Sequence, residues 1–260
     1  MNTPKTSEWH EERRKYLGAS DANIIMGGSA QQRLDLWKVK TGAAEPESLD
    51  DVFPVQLGTF TEPFNLAWFQ RKTGWTLTGQ QERIVHANGW MACTPDGLLD
   101  DAIVEAKHVN ARFSMADTIA KYQPQLHHSM IVTGRRKAFL SVISGNEYDY
   151  AEIEFNDEYA AKLMEVEADF WECVTYRIPP SDAPPNVAPP EPFRVVSMTG
   201  NNEWASCAAD WLANKAAAKA FDTAASGIKA LVGADVKAAT GHGISLTRNK
   251  RGAATIKESA

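Results

Sequence analysis

Apolar positions along the chain switch between a period of three to four and a period of two, and the switches delimit the expected elements. Residues 7–14 predict a short helix, and GASDANIIMG, beginning at Gly18, predicts a tight turn into a second one with Ser20 near its N-cap. Residues 60–73 repeat apolar side chains at helical spacing and stop at Gly74. Between residues 76 and 107 the period shortens toward two. RIVHA, GWMACTPDGLL and AIVEAKHV are rich in β-branched and aromatic residues and are separated by Asn-Gly, Asp-Gly and Asp-Asp turn signals, which predicts an antiparallel meander. A helix over 124–133, a strand over 137–143, a hairpin through Gly145-Asn146, a strand over 148–155 and a long helix over 156–176 with Asn156 as its cap complete the pattern. The fold class expected from this order is α/β (α+β), a mixed central sheet flanked by helices.

Seven of the thirteen prolines fall in IPPSDAPPNVAPPEPF, residues 178–193. Proline removes amide donors and favours extended polyproline II, so this stretch predicts a semi-rigid spacer over 179–192 between a core, 1–178, and a C-terminal segment, 193–260. In that segment residues 202–240 have helix-forming composition broken near Gly227 and Gly233, and GHGISLTRNKRGAATIK predicts two short strands joined at Asn249-Lys250. From 227 to 260, six Lys or Arg stand against two acids.

That local basic balance matters because the whole chain of 260 residues carries a formal charge of −6. A protein that coats nucleic acid by positive field alone is thereby excluded, and a polyanion has to be met by a local patch. Three widely spaced cysteines, Cys93, Cys173 and Cys207, supply neither a disulfide framework nor a four-thiolate metal site, which fits a reducing, cytoplasmic setting. No apolar run approaches the ~18 residues of a membrane span, and MNTPKTSEWHEERRK has no signal-peptide core, so no membrane partner is expected. The eight tryptophans, Trp68 and Trp171 among them, read as core.

The chemistry concentrates in Thr94-Pro95-Asp96-Gly97 followed by Glu105-Ala106-Lys107. On a strand, residues i and i+2 share a face, so Glu105 and Lys107 point the same way, and Asp96 can approach them across the Asp100-Asp101 turn. Two carboxylates with an intervening carbonyl form an all-oxygen set suited to Mg²⁺ or Mn²⁺, and the lysine can orient or help deprotonate a water and offset phosphate charge. The same residues also fit a solvated hairpin turn. Against that, AIVEAKHV is an apolar strand in which an unpaired charge costs several kcal/mol. His127 and His128 diverge by ~100° on a helix, so both cannot aim at one metal.

Six segments occur in a telling order: W-H-x-x-R, G-A-S-D, L-G-x-x-x-E, T-P-D-G, E-A-K and Y-x-x-Q. Together, over residues 9–176, they resemble the phage lambda exonuclease or YqaJ-type viral recombinase family, within the PD-(D/E)XK nuclease superfamily and its restriction-endonuclease-like core. The resemblance implies that Asp96 and Glu105 bind metal with the Ala106 carbonyl as third ligand, and that Lys107 is the catalytic lysine. It implies that Glu62 is the helical glutamate bordering the metal site and Gln125 the active-site glutamine, with Tyr122 one turn earlier. Arg13 and Ser20 correspond to the pair holding the 5′-phosphate of a strand end, with Arg14 a competing neighbour. Arg112 falls where a second phosphate-binding residue is expected, without the flanking pattern, and Trp9 would shape the entrance for DNA.

The activity so implied is Mg²⁺-dependent 5′→3′ digestion of one strand of linear double-stranded DNA to mononucleotides, leaving 3′ single-stranded tails for annealing-type recombination, with Mn²⁺ substituting. Double-stranded DNA ends, a single-strand annealing protein and two further copies in a homotrimer are the implied partners, in a phage or prophage protein acting in a bacterial cytoplasm. The basic C-terminal segment is expected to touch DNA or dock the annealing partner. An endonuclease with the same core and a non-catalytic DNA-end-binding module stay open as alternatives.

Overall fold

A computed structural model describes residues 7–183, 185, 187–191, 196–249 and 251–259, with the side chains of residues 7–10, and so that of Trp9, outside the description. The chain divides into two compact units, Met1–Arg194 and Val195–Ala260. Among the described residues no helix is long and apolar enough to cross a membrane.

The first unit opens with α1 (Ser7–Arg14), β1 (Leu17–Gly18), α2 (Ala19–Gly27), α3 (Ala30–Thr41) and α4 (Phe53–Thr73). Strands β2 (Ile84–Val85), β3 (Met91–Cys93), β4 (Gly97–Leu98) and β5 (Ala102–Val109) follow, then α5 (Met115–Thr133), β6 (Lys137–Ser144), β7 (Glu147–Glu154) and α6 (Asp157–Thr175). The main sheet has the order β4-β5-β6-β7, with β5 and β6 parallel and the outer pairs antiparallel. A parallel pair needs a crossover, and α5 supplies it. Alternate residues of β5 bury against different helices: Ala102, Val104 and Ala106 pack with Leu66 and Phe69 of α4, whereas Ile103 packs with Ile119, Leu126 and Met130 of α5. Glu105 and Lys107 share the parity of Ile103 and therefore face α5. The expected mixed sheet flanked by helices is what the chain forms.

Several boundaries differ from the sequence expectation. The predicted meander is two hairpins in two sheets, because β2 and β3 join β1 in a small sheet of order β1-β3-β2 while β4 and β5 belong to the main one. Pro95, which has no amide to continue a ladder, stands at the break. Helix α4 starts at Phe53, with Pro54 in its first turn, so Glu62 lies mid-helix and Pro63 inside it. Helix α5 starts at Met115, capped by Ser114, whose Oγ accepts from Asp117 N at 3.1 Å while Ser114 N donates to Asp117 Oδ2 at 3.2 Å. Pro124 is therefore internal to α5. Helix α3, capped by Ser29, was not expected at all. The cap of α2 is Gly18, whose N–H donates to Asp21 Oδ2 at 2.7 Å, and Ser20 is the second residue of that helix.

The second unit holds α7 (Asn202–Leu231) and a three-stranded antiparallel sheet of β8 (Ala238–Gly241), β9 (Ile244–Arg248) and β10 (Ala254–Glu258). Helix α7 runs through Gly227 without a break, and a third strand, β8, pairs with β9 across the His242-Gly243 turn, where both residues have positive φ. Lys250, in the expected β9–β10 turn, lies outside the described residues.

Candidate active site

Strand β5 carries the acidic centre. Register places Gly97 opposite Val104, so Asp96 stands just beyond the end of β4, across from Glu105. Asp96 Oδ2 accepts from Ala106 N at 2.8 Å. In an extended strand the N–H and C=O of one residue point to the same side, so the Ala106 carbonyl also opens toward Asp96, past the last β4–β5 ladder bond. Asp96 and Glu105 are both buried. Burial first, and then the charge of Glu105, push the Asp96 carboxyl well above the usual carboxylate range.

Glu105 Oε1 takes two donors, Lys107 Nζ at 2.6 Å and the Gln125 amide from α5. Lys107 also lies 4.8 Å from the centroid of the Tyr122 ring. Burial works against its charge, but Glu105 and Asp96 outweigh it and hold the ammonium above its ordinary range. A lysine held charged orients oxygen atoms and offsets phosphate charge more readily than it removes a proton.

Glu62 lines the opposite side of the cleft from α4. Burial, followed by the Glu105 charge, raises its carboxyl, and Gln81 Nε2 donates to its Oε1 at 2.8 Å. Gln81 sits at φ 60, a left-handed conformation uncommon outside glycine, and its N–H donates to Pro95 O at 3.3 Å. One residue thereby ties the acid of α4 to the turn carrying Asp96. Asn65, one turn after Glu62, donates to both Lys107 O and Ser141 O at 3.1 Å and pins α4 to the sheet. The cleft between these walls has a volume of about 530 Å³.

Among the described residues no three His, Cys, Asp or Glu side chains gather as a metal-binding group. What the chain offers a cation is two carboxylates and one main-chain carbonyl. That donor set fits Mg²⁺, which usually takes one or two carboxylates and keeps several waters. Neither histidine joins it: His127 accepts from Asn156 N at 3.1 Å, and His128 sits between Glu167 (2.9 Å) and Ala92 O (3.0 Å).

The N-terminal corner lies one step away. Arg13 Nη2 donates to Ser20 Oγ at 3.3 Å and lies 3.8 Å from Asp21 Oδ1. Arg14 turns instead to Glu45, at 2.8 Å. Asn23, one turn after Ser20 on α2, donates to Gln125 Oε1 and accepts from Gln125 N, both at 3.1 Å. The amide of Gln125 is thus oriented with its NH₂ toward Glu105. Arg112 is exposed on the turn after β5, its N–H bonded to Asn110 Oδ1 at 3.0 Å, and is not among the residues lining the cleft. Asn23, Gln81 and the buried Asp21 escaped the sequence reading. Asn23 had a usable signal, its i+3 spacing from Ser20, whereas Gln81 had none.

Set against known proteins, the chain is similar to one family over about half of its length. Residues 8–136 match the YqaJ-like viral recombinase domain. The resemblance drawn from the six motifs is borne out, and the matched span of the YqaJ-like domain contains every candidate residue from Arg13 to Gln125. Over 175 residues the chain is 29% identical to the uncharacterized protein YqaJ of Bacillus subtilis (strain 168), covering 63% of this chain and 54% of that protein. The chain therefore spans about half the length of the curated relative it matches. The fold is similar to the crystal structure of an alkaline exonuclease (LHK-Exo) from Laribacter hongkongensis, with a TM-score of 0.55 at 21% identity over 66% of this chain and 94% of that one. LHK-Exo in complex with dAMP gives a TM-score of 0.56 at 22% identity over the same shares, 66% and 94%. At such identities the likeness speaks for the fold, and the geometry of the site itself has to speak for the chemistry.

Proposed function

We propose that the chain is a Mg²⁺-dependent 5′→3′ exonuclease that digests one strand of linear double-stranded DNA to mononucleotides, leaves a 3′ single-stranded tail, and accepts Mn²⁺ in place of Mg²⁺. The observation that carries this reading is the convergence of Asp96, Glu105, Lys107 and Gln125 on one buried corner, from which Lys107 reaches the cleft that Glu62 lines from α4. The fold it shares with an alkaline exonuclease, one structure of which holds dAMP, supports a nuclease acting on DNA.

Asp96, Glu105 and the Ala106 carbonyl would hold the cation. When bound, it supplies a polarised water and charge stabilisation for phosphodiester hydrolysis. Lys107 orients the attacking water and offsets charge on the phosphate. Gln125 holds Glu105 in place, and Glu62 borders the site from α4. Arg13 and Ser20 grip the 5′-phosphate, the arginine with its planar fork and the serine in the first turn of α2, where N–H groups favour an anion.

The exonuclease core is assigned to 1–178, the spacer to 179–192, and DNA contact or docking of a single-strand annealing protein to 193–260. A homotrimer around the duplex, in a phage or prophage protein of the bacterial cytoplasm, completes the reading. Digestion with Mg²⁺ of linear duplex bearing a 5′-phosphate or a 5′-hydroxyl, beside a closed circle, tests it with the wild type and Lys107→Ala. Mononucleotides should come from the phosphorylated linear duplex alone and vanish in the variant. Nicking of the circle would point to an endonuclease, and an absence of metal-dependent DNA loss to an end-binding module.

A further inference from the structure

The cleft holds two lysines, and they are differently engaged. Lys107 is neutralised by Glu105 at 2.6 Å. Lys121, on α5, also lines the cleft but has no carboxylate within ion-pair distance among the described residues. Its ammonium lies 5.9 Å from the Phe113 centroid and 5.2 Å from that of Tyr122, so two rings position it without cancelling its charge.

We infer that Lys121 is the cleft's phosphate-binding cation, contacting the DNA strand next to the scissile phosphodiester in the place that sequence position gives to Arg112. This rests on the nuclease reading of the same cleft. Thr118, Lys121, Tyr122 and Gln125 follow at three- and four-residue spacing and so share one face of α5. Four residues of helix separate Lys121 from Gln125, about 6 Å along the axis. Phosphates of one strand succeed each other at ~3.4 Å of axial rise, so that offset is one or two nucleotides from the metal-binding corner. Arg112 instead lies outside the cleft lining, although Asn110 and Phe113 on either side of it belong to that lining. A contact to phosphate carries no sequence information, which suits an enzyme that digests whatever strand it is given.

The test measures binding of a short linear duplex by fluorescence anisotropy at several salt concentrations, with Ca²⁺ replacing Mg²⁺, for the wild type, Lys121→Gln, Lys121→Arg and Arg112→Gln. Loss of one phosphate contact should lower the slope of log affinity against log salt by about 0.9. Lys121→Gln should show that drop with affinity weakened about three- to tenfold, Lys121→Arg should restore both, and Arg112→Gln should leave the slope unchanged. In digestion, Lys121→Gln should raise KM with kcat retained at saturating DNA. An unchanged slope in Lys121→Gln, a drop in Arg112→Gln alone, or failure of arginine to restore would overturn the inference. A wild type that binds duplex without digesting it defeats the nuclease reading while the slopes still decide Lys121. A wild type that binds no duplex defeats both.

Discussion

Replacing Lys40 by methionine would show how the corner bearing Arg13 and Ser20 is held. Lys40 is 6% exposed, and its ammonium donates to Asp21 Oδ2 at 2.6 Å, Tyr16 O at 2.8 Å and Arg13 O at 2.9 Å, which uses all three protons. Asp21 is 5% exposed and has Gly18 N and the more distant Arg13 as its other partners. Methionine keeps the stem but strands the carboxylate. Removing one member of a buried pair costs about 3–5 kcal/mol, and the partial compensation by Arg13 places the expectation near the lower end, ~3 kcal/mol. In a unit of this size 1 kcal/mol shifts Tm by about 2–4 °C, so a fall of roughly 6–12 °C should follow.

The two partners titrate with different outcomes. Burial raises the Asp21 carboxyl, yet Lys40 and then Arg13 outweigh it and hold it below the ordinary value. Its stabilising contribution is therefore present above the unfolded value of ~3.9 and is lost as pH falls through the lower folded one. For Lys40 burial dominates, and the ammonium titrates below its ordinary value despite Asp21. Three acceptors within 2.9 Å still require a protonated amine at neutral pH, so the geometry decides for an ionic pair. Adding Asp21→Asn to Lys40→Met removes the stranded charge and should recover part of the loss. Thermal unfolding at pH 7 of the wild type, both single variants and the double variant measures this. A Lys40→Met cost under about 1 kcal/mol, or a double variant no more stable than Lys40→Met, would refute the reasoning.

Asn23→Asp keeps the acceptor for Gln125 N but loses the donor to Gln125 Oε1, so kcat of digestion should fall about five- to thirtyfold with KM nearly constant, and an unchanged kcat would mean Gln125 needs no such guide. His128 has an acceptor at each ring nitrogen and is therefore held as imidazolium; burial opposes this, but Glu167 outweighs it and raises the pKa. The raised folded value means that this stabilisation is complete below the unfolded pKa of ~6.5 and is lost as pH rises through the folded one. Tm of the wild type should decline with alkaline pH more steeply than that of Glu167→Gln, and parallel profiles would count against the imidazolium.

How far the sequence could be read depends on whether a signal is local. The β5 cluster was legible because strand alternation fixes which side chains share a face, and turn residues bracket Asp96. The starts of α4 and α5 were not, because Pro63 and Pro124 resemble first-turn residues although they stand deep inside long helices. An internal proline costs ~3 kcal/mol, and packing of Phe69, Leu126 and Met130 in the core offsets it, a tertiary effect that composition does not reveal. The pairing of β1 with β3 joins Leu17 to Met91, too distant for any periodicity. Helix α3 hid because its buried face includes Arg33 and Lys40, long basic side chains that read as surface.

Those buried charges also separate what holds the fold from what the fold holds ready. Asp21 faces Lys40, and Glu167 faces His128, one opposite charge each at short range, while Arg33 spends its guanidinium on the carbonyls of Gly28 and Asp182. The β5 corner breaks that pairing. Asp96 and Glu105 share a single lysine, which goes to Glu105 and leaves Asp96 with a backbone amide, while Glu62 adds a third negative group across the cleft. A structural network would gain by balancing this excess, whereas an oxygen site for a divalent cation requires it. On the proposed reading the net charge of −6 is no argument against a partner in DNA, because the acids of the β5 corner would face a metal, and the cations that meet phosphate would need only be few and well placed.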